Sequence, residues 1–233
     1  MSVTKDQKHA IDCILSVFET GRVPTAASYA TCTILRDGAG ISYGKHQATD
    51  NAGSLDKIVK KYIAAGGVHA AALQPYLPRL EANETAKLNP AAPPEWAKSL
   101  VNLLKQAGAD PKMHQAQDEV FDENYWNPAV TQAKAIGLTT ALGHAVVYDT
   151  CIHSGPGRVA THRAAFPAKS PANGGDEKEW VQSYVAARKA WLLANKNPIV
   201  QKTIYRMEAF ERLMADGNWD LVLPFTVRGV KVG

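Results

Sequence analysis

Residues 138–152, "LTTALGHAVVYDTCI", constrain the fold of this chain more than any other stretch. They read as a helix, yet nearly every side of it is apolar, and such a helix has to be enclosed by other elements. With 233 residues, 45% of them hydrophobic, the chain can build one sizeable core or two lobes sharing a cleft. Asp149 falls inside the enclosed helix, where an unpaired charge is strongly destabilising. It therefore needs a cationic partner, and Arg188 and Arg206 on later helices are the candidates. Both a purely structural ion pair and a relay that orients a catalytic acid meet that need.

The rest of the chain punctuates as helices. Thr4 and Gln7 make a capping box, after which Ala10, Ile11, Ile14, Leu15 and Phe18 recur at helical spacing until Gly21. Residues 31–46 place β-branched and aromatic positions around Asp37-Gly38, a hairpin signal. Ser54 opens a helix with Leu55, Ile58, Val59 and Tyr62 inward, closed by Gly66-Gly67. The proline-rich "NPAAPPEW" leads into a helix on Trp96, Leu100, Leu103 and Leu104, and residues 68–93 are the expected connection between lobes. Residues 112–136 read as two helices broken at Asn127-Pro128. Asp176 caps a helix carrying Trp180, Tyr184, Ala187 and Trp191, and one long helix is expected from Pro198 to about Met214. The expected architecture is mainly α with one small β element, in a single domain of two lobes spanning 1–233.

Several function classes are disfavoured. No window approaches the ~20 apolar residues of a membrane span, and the N-terminus lacks the apolar core of a secretory signal. The scattered cysteines (Cys13, Cys32, Cys151) are expected to be free, packed thiols, and the histidines include no HExxH. Neither a metal nor another cofactor is expected. The net charge of +4 favours an anionic partner, but the cations are dispersed and no nucleic-acid reader motif is present.

Two acids carry the chemistry. Glu19 lies in the final turn of the first helix, where the macrodipole disfavours the ionised carboxylate and favours a retained proton, as a general acid needs. Asp37 lies in a polar glycine turn with Ser42 nearby and is expected to stay ionised. Two carboxyls pushed apart in this way suit glycosidic cleavage: one protonates the leaving oxygen, the other activates water or attacks carbon. A solvated helix-end Glu and an ordinary Asp-Gly turn are the bland alternatives.

From the first helix to about residue 224, the chain resembles the family 46 glycoside hydrolases, known mainly as chitosanases. The segments that carry the likeness are Glu19, "DGAGISYG", "QAQDEVFDENYWNPAVTQAKAIGL", "YDTCIHSGPG", "SPANGGDE", "AARKA" and "GNWDLVLP". The resemblance implies a two-lobed, lysozyme-like, mostly α fold and an inverting endo-hydrolysis. Glu19 then matches the general acid and Asp37 the general base, with room for a water between carboxyls ~6.5–9.5 Å apart. Ser42 falls where the family usually has a threonine that helps hold that water. Asp149, Arg188 and Arg206 match a buried charge network behind the acid, and Tyr43, His46, Gln47 and Ser54 are the expected substrate-binding residues.

The departures bear on the substrate. Family chitosanases bind the amines of their polycation with acids, yet one matching position holds Ser54 here, the next falls at about Asn195 and another near Gln201, none of them acidic, and an arginine two residues after the catalytic Asp is replaced by Ala39. Peptidoglycan, an N-acetylated anionic wall polymer, is therefore the first expectation and chitosan the second. "FETG" and "YGKHQ" are also similar to phage-type endolysins and secreted muramidase effectors. Such a reading places the action outside the cytoplasm, and without a visible signal peptide the expectation is export by another route or a sequence that begins after the signal. It adds a delivery system or an immunity protein as a candidate partner, and a monomer is expected. A non-catalytic glycan-binding relative is the alternative of another class.

Overall fold

The computed structural model describes residues 3–35, 39–50 and 54–233. The chain divides into two compact units, one made of Met1–Val23 with Tyr125–Gly233 and the other of Pro24–Asn124. The division corrects the expected connection at 68–93, which lies wholly inside the second unit. That stretch folds into short helical turns on its own unit's core, with Leu73 and Leu80 buried in it.

Helix α1 (Lys5–Thr20) opens the first unit. The Thr4–Gln7 capping box is formed, and Gly21 ends the helix in the left-handed region with its N–H on the Val17 carbonyl. A glycine there avoids the Cβ clash that other residues meet at positive φ.

The second unit follows. Strands β1 (Cys32–Ile34), β2 (Ile41–Tyr43) and β3 (Ala48–Thr49) form an antiparallel sheet in that order, with Cys32 opposite Tyr43 and Ser42 opposite Thr49. The expected hairpin is thus present and carries a third strand. Residues 36–38 at its tip, Asp37 among them, lie outside the described residues. Helix α2 (Leu55–Ala64) buries Leu55, Ile58, Val59 and Tyr62, although Ser54 makes no side-chain capping bond. After α3 (Ala70–Leu73) and α4 (Leu77–Glu81), helix α5 (Glu95–Ala107) adds Leu100 and Leu104 to the same core. Helix α6 (Pro111–Phe121) starts on the Asp110 cap and closes that core with Met113 and Val120.

A π-helical turn at Asp122–Trp126 leads into α7 (Asn127–Ile136), with Pro128 in its first turn, so the expected break is a change of helix type rather than a loop. Helix α8 (Ala141–Ser154) is buried from Ala141 through Cys151 and is packed by α1, α7, α9 (Arg158–Arg163), α10 (Glu177–Leu193) and α12 (Tyr205–Ala215). An apolar side chain so enclosed stabilises by ~1.5–3 kcal/mol, which is why the segment without a polar face becomes the centre of its unit. The expected long helix after Pro198 is broken instead. It runs as α11 (Pro198–Gln201), a 3₁₀ turn at Lys202–Ile204, and then α12. A second β element, β4 (Phe225–Val227) paired with β5 (Val230–Val232), ends the chain and was not anticipated. The three cysteines are buried, and among the described residues none forms a disulfide.

Candidate active site

Glu19 projects from the last turn of α1 with its side chain 46% exposed, and its Oε1 accepts a hydrogen bond from Arg206 Nη2 at 2.5 Å. Arg206, on the first turn of α12, turns its other terminal nitrogen inward, and Nη1 donates to Asp149 Oδ1 at 2.7 Å. Asp149 Oδ2 in turn accepts from Arg188 Nη1 of α10 at 2.5 Å. The result is one line of alternating charge, Glu19–Arg206–Asp149–Arg188, running from solvent into the centre of the unit.

Its inner members are completely enclosed, Asp149 and Arg188 being 0% exposed. Burial alone would raise the Asp149 pKa, but Arg188 and Arg206 outweigh it and hold the carboxyl below its ordinary range. Burial likewise opposes the charge on Arg206, and Asp149 and Glu19 overcome it, so its pKa rises. Two imidazoles stand beside the line and titrate the other way. His153 is pushed down to about 4 by burial and the Arg206 cation, and His162 to about 4 by burial and the cations of Arg188 and Arg158.

In the second unit, Ser42 is buried at the centre of β2, between Thr33 and Thr49 on the neighbouring strands. Tyr43 belongs to the core rather than to a binding surface: it is 1% exposed, and its hydroxyl donates to the Leu104 carbonyl at 2.8 Å. That burial corrects the substrate-binding expectation for Tyr43, because every residue of β2 is buried and the Tyr43 hydroxyl is bonded to α5. His46 stacks on Phe121 with centroids 3.7 Å apart, and its Nε2 lies 3.2 Å from Asp118 Oδ1. Gln47 is exposed on a left-handed backbone position, whereas Ser54 is 9% exposed at the entry to α2.

Sequence reasoning missed the residue that gathers this region. Asp118 of α6 accepts from Tyr29 Oη at 2.7 Å and Lys45 Nζ at 3.1 Å besides meeting His46. Burial opposes its charge, but His46, Lys45 and Tyr29 hold its carboxyl far below the usual range. Close by, Gln117 Oε1 accepts from the Lys45 N–H, and a Cβ on Gly44 would lie 2.0 Å from that same oxygen. Gly44 also has φ +80, so only glycine fits the turn that presents Lys45 and His46. The one available signal was the acidic run "QDE" at 117–119, which by itself reads as a solvated helix face.

Among the described residues, no group of three or more His, Cys, Asp or Glu is placed to hold a metal ion, and no helix is long and apolar enough to cross a membrane. An acid at a helix end, backed by a buried alternating charge line in a mostly helical fold, is the equipment of a hydrolase that works by proton transfer.

Comparison with known proteins specifies the class. The family model described as glycosyl hydrolase family 46 matches residues 13–225. The chitosanase of Bacillus subtilis strain 168 is 30% identical over 248 residues, covering 99% of this chain and 85% of that protein. A chitosanase of a Streptomyces species is also 30% identical, covering 91% and 75%. Among solved structures, a mutant chitosanase from Bacillus subtilis MY002 complexed with 6 GlcN superposes with a TM-score of 0.77 at 27% identity, covering 97% of this chain and 96% of that one. A Gynuella sunshinyii chitosanase in complex with chitotetraose gives 0.76 at 26% identity, covering 99% and 98%. The chain belongs to glycoside hydrolase family 46. It is a glycoside hydrolase of chitosanase-like type with the lysozyme-like, mostly helical fold of those enzymes.

Proposed function

We propose that the protein is an endo-acting, inverting hydrolase of β-1,4 linkages in a chitosan-type aminoglycan, acting outside the cytoplasm. The observation that supports it most is the anchored Glu19, held by Arg206 at the end of the charge line, in a chain whose curated relatives are chitosanases. In this reading the Glu19 carboxyl gives its proton to the glycosidic oxygen as the bond to the anomeric carbon breaks. Asp37 takes a proton from a water whose oxygen attacks that carbon from the opposite face, with Ser42 helping to hold it. One new reducing end of inverted configuration results, and solvent exchange restores the two carboxyls. Gln47 and the exposed edge of His46 remain candidates for sugar contact.

With chitosanases as the relatives, this reading puts chitosan ahead of peptidoglycan, the first expectation from the sequence. That second reading keeps one specific support. Gln201 Nε2 donates to the Asn195 backbone carbonyl at 2.7 Å, so this stretch presents neutral side chains about where the resemblance implies carboxylates. The +4 net charge also repels a polycation.

The deciding experiment incubates the protein separately with highly deacetylated chitosan and with purified sacculi and identifies the new reducing ends. Faster chitosan cleavage is expected, with added salt relieving repulsion and raising the rate. Faster release from sacculi, weakened by salt, would establish the second reading. On the better substrate, Glu19→Gln and Asp37→Asn are each expected to lower turnover by at least ~10²-fold while circular dichroism stays unchanged. Near-normal turnover by either folded variant would overturn the assignment of the pair.

A further inference from the structure

Strands β4 and β5 are joined by only two residues, Arg228 and Gly229, flanked by the Val227–Val230 pair. Both residues are left-handed, with φ 50° and 78°, the form of a type I′ hairpin turn. Glycine, asparagine and aspartate favour this form, and an arginine at its first position is held against its backbone preference. A residue kept in such a conformation invites the question of what its side chain does.

The guanidinium carbon of Arg228 lies 3.7 Å from the centroid of the Tyr205 ring. Tyr205 is not an ordinary stacking partner. Its hydroxyl donates to the Phe18 carbonyl at 2.8 Å, one of the last carbonyls of α1, which its own helix leaves without a donor. Its ring also meets Phe18 edge-on at 6.0 Å. The next residue in the chain is Arg206, which bonds the Glu19 side chain. Tyr205 and Arg206 thus grip the same turn of α1 twice, by its backbone at Phe18 and by its carboxylate at Glu19. Strand β5 packs against α1 as well, so the hairpin that carries Arg228 is seated on the helix it would steady.

We propose that Arg228 is a positioning residue for Glu19: stacked on Tyr205, it fixes the ring whose hydroxyl holds the α1 terminus. This rests on the reading of Glu19 as general acid. Arg228 touches no reacting atom, and its effect passes through Tyr205 to the direction in which the acid points. Loss of the stack frees Tyr205 to tilt, the Phe18 carbonyl loses its donor, and the acid's line to the glycosidic oxygen is blurred.

The test uses Arg228→Gly, which removes the stack and suits the left-handed turn, alongside Tyr205→Phe, the double variant, Arg228→Lys and Glu19→Gln. Steady-state kinetics are followed on chitosan, or on sacculi if those prove the better substrate. Arg228→Gly is expected to keep or raise the melting temperature while kcat falls about tenfold and KM stays within about twofold. Tyr205→Phe should lower kcat similarly, the double variant should be no worse than either, and Arg228→Lys should recover part of the loss. Unchanged kcat in Arg228→Gly, or a loss that merely follows lost stability, overturns the proposal. If Glu19→Gln is inactive while Arg228→Gly is fully active, this inference alone fails. If Glu19→Gln works normally, the acid assignment fails and takes this inference with it.

Discussion

Asp149 in the first unit and Asp118 in the second each gather several donors, but one is 0% exposed and the other 38%. Asp149 is bonded by the guanidiniums of Arg188 and Arg206, along an enclosed line that reaches solvent at Glu19. Asp118 meets a phenol, an ammonium and an imidazole at the edge of solvent. The difference lies in what replaces a lost partner. Water reaches the Asp118 carboxylate itself, although Lys45 beside it is only 9% exposed, whereas the enclosed Asp149 has no such contact and its charge must be balanced internally. The first unit therefore has its geometry locked by electrostatics, while the second has a local brace for the turn at Gly44–His46.

Removing each aspartate gives the sharpest contrast. Asp149→Ala leaves two buried guanidiniums facing each other and is expected to cost ~3–5 kcal/mol of unfolding free energy. Denaturant titration measures this directly, and a midpoint equal to that of the parent chain would erase the distinction between the networks.

Acid separates the two regions next. Burial depresses His144, His153 and His162 in the first unit, and the last two have folded values of about 4 against an ordinary 6.5. Between those values the unfolded chain binds protons that the folded chain refuses, so stability is complete above about pH 6.5 and declines as pH falls toward 4. A loss on the order of 1–2 kcal/mol per ring is expected. Asp149 and Asp118 have lowered values instead, so their contributions persist through that window and disappear only as pH falls below the ordinary carboxylate range, near 3.8. Thermal unfolding at pH 7 and pH 4.5, with imidazole proton resonances as reporters, checks the order of events. A flat profile across this range would break it.

The smallest effect is expected at the half-buried brace. Asp118→Ala should lower stability by ~1–2 kcal/mol, because solvent partly screens the 38% exposed carboxylate even though Lys45 beside it is largely buried. A loss as large as that of Asp149→Ala, measured in the same titration, would show that exposure does not govern the difference.

Local rules made much of the fold legible in advance. The Thr4–Gln7 box, the Gly21 stop, the inward set of Leu55, Ile58, Val59 and Tyr62, and the central position of 138–152 all follow from caps and periodicity, which act within a few residues. The need of Asp149 for a cation was readable because burial of a charge is costly wherever it occurs, and Arg188 and Arg206 could be named once helical neighbours were assumed.

Other features depended on residues brought together from distant parts of the chain. The unit boundaries at Val23–Pro24 and Asn124–Tyr125 reflect which helices share a core, and the proline-rich composition of 68–93 carried no information about that. Tyr43 and His46 looked equivalent in "YGKHQ", yet one is drawn under α5 and the other laid on Phe121. The break of the last helix at Lys202–Ile204 brings Tyr205 and Arg206 to α1, a contact that helical periodicity does not encode. Spacing along a chain determines which face a residue occupies, but the partner on that face is chosen only when the packing of the whole unit is complete.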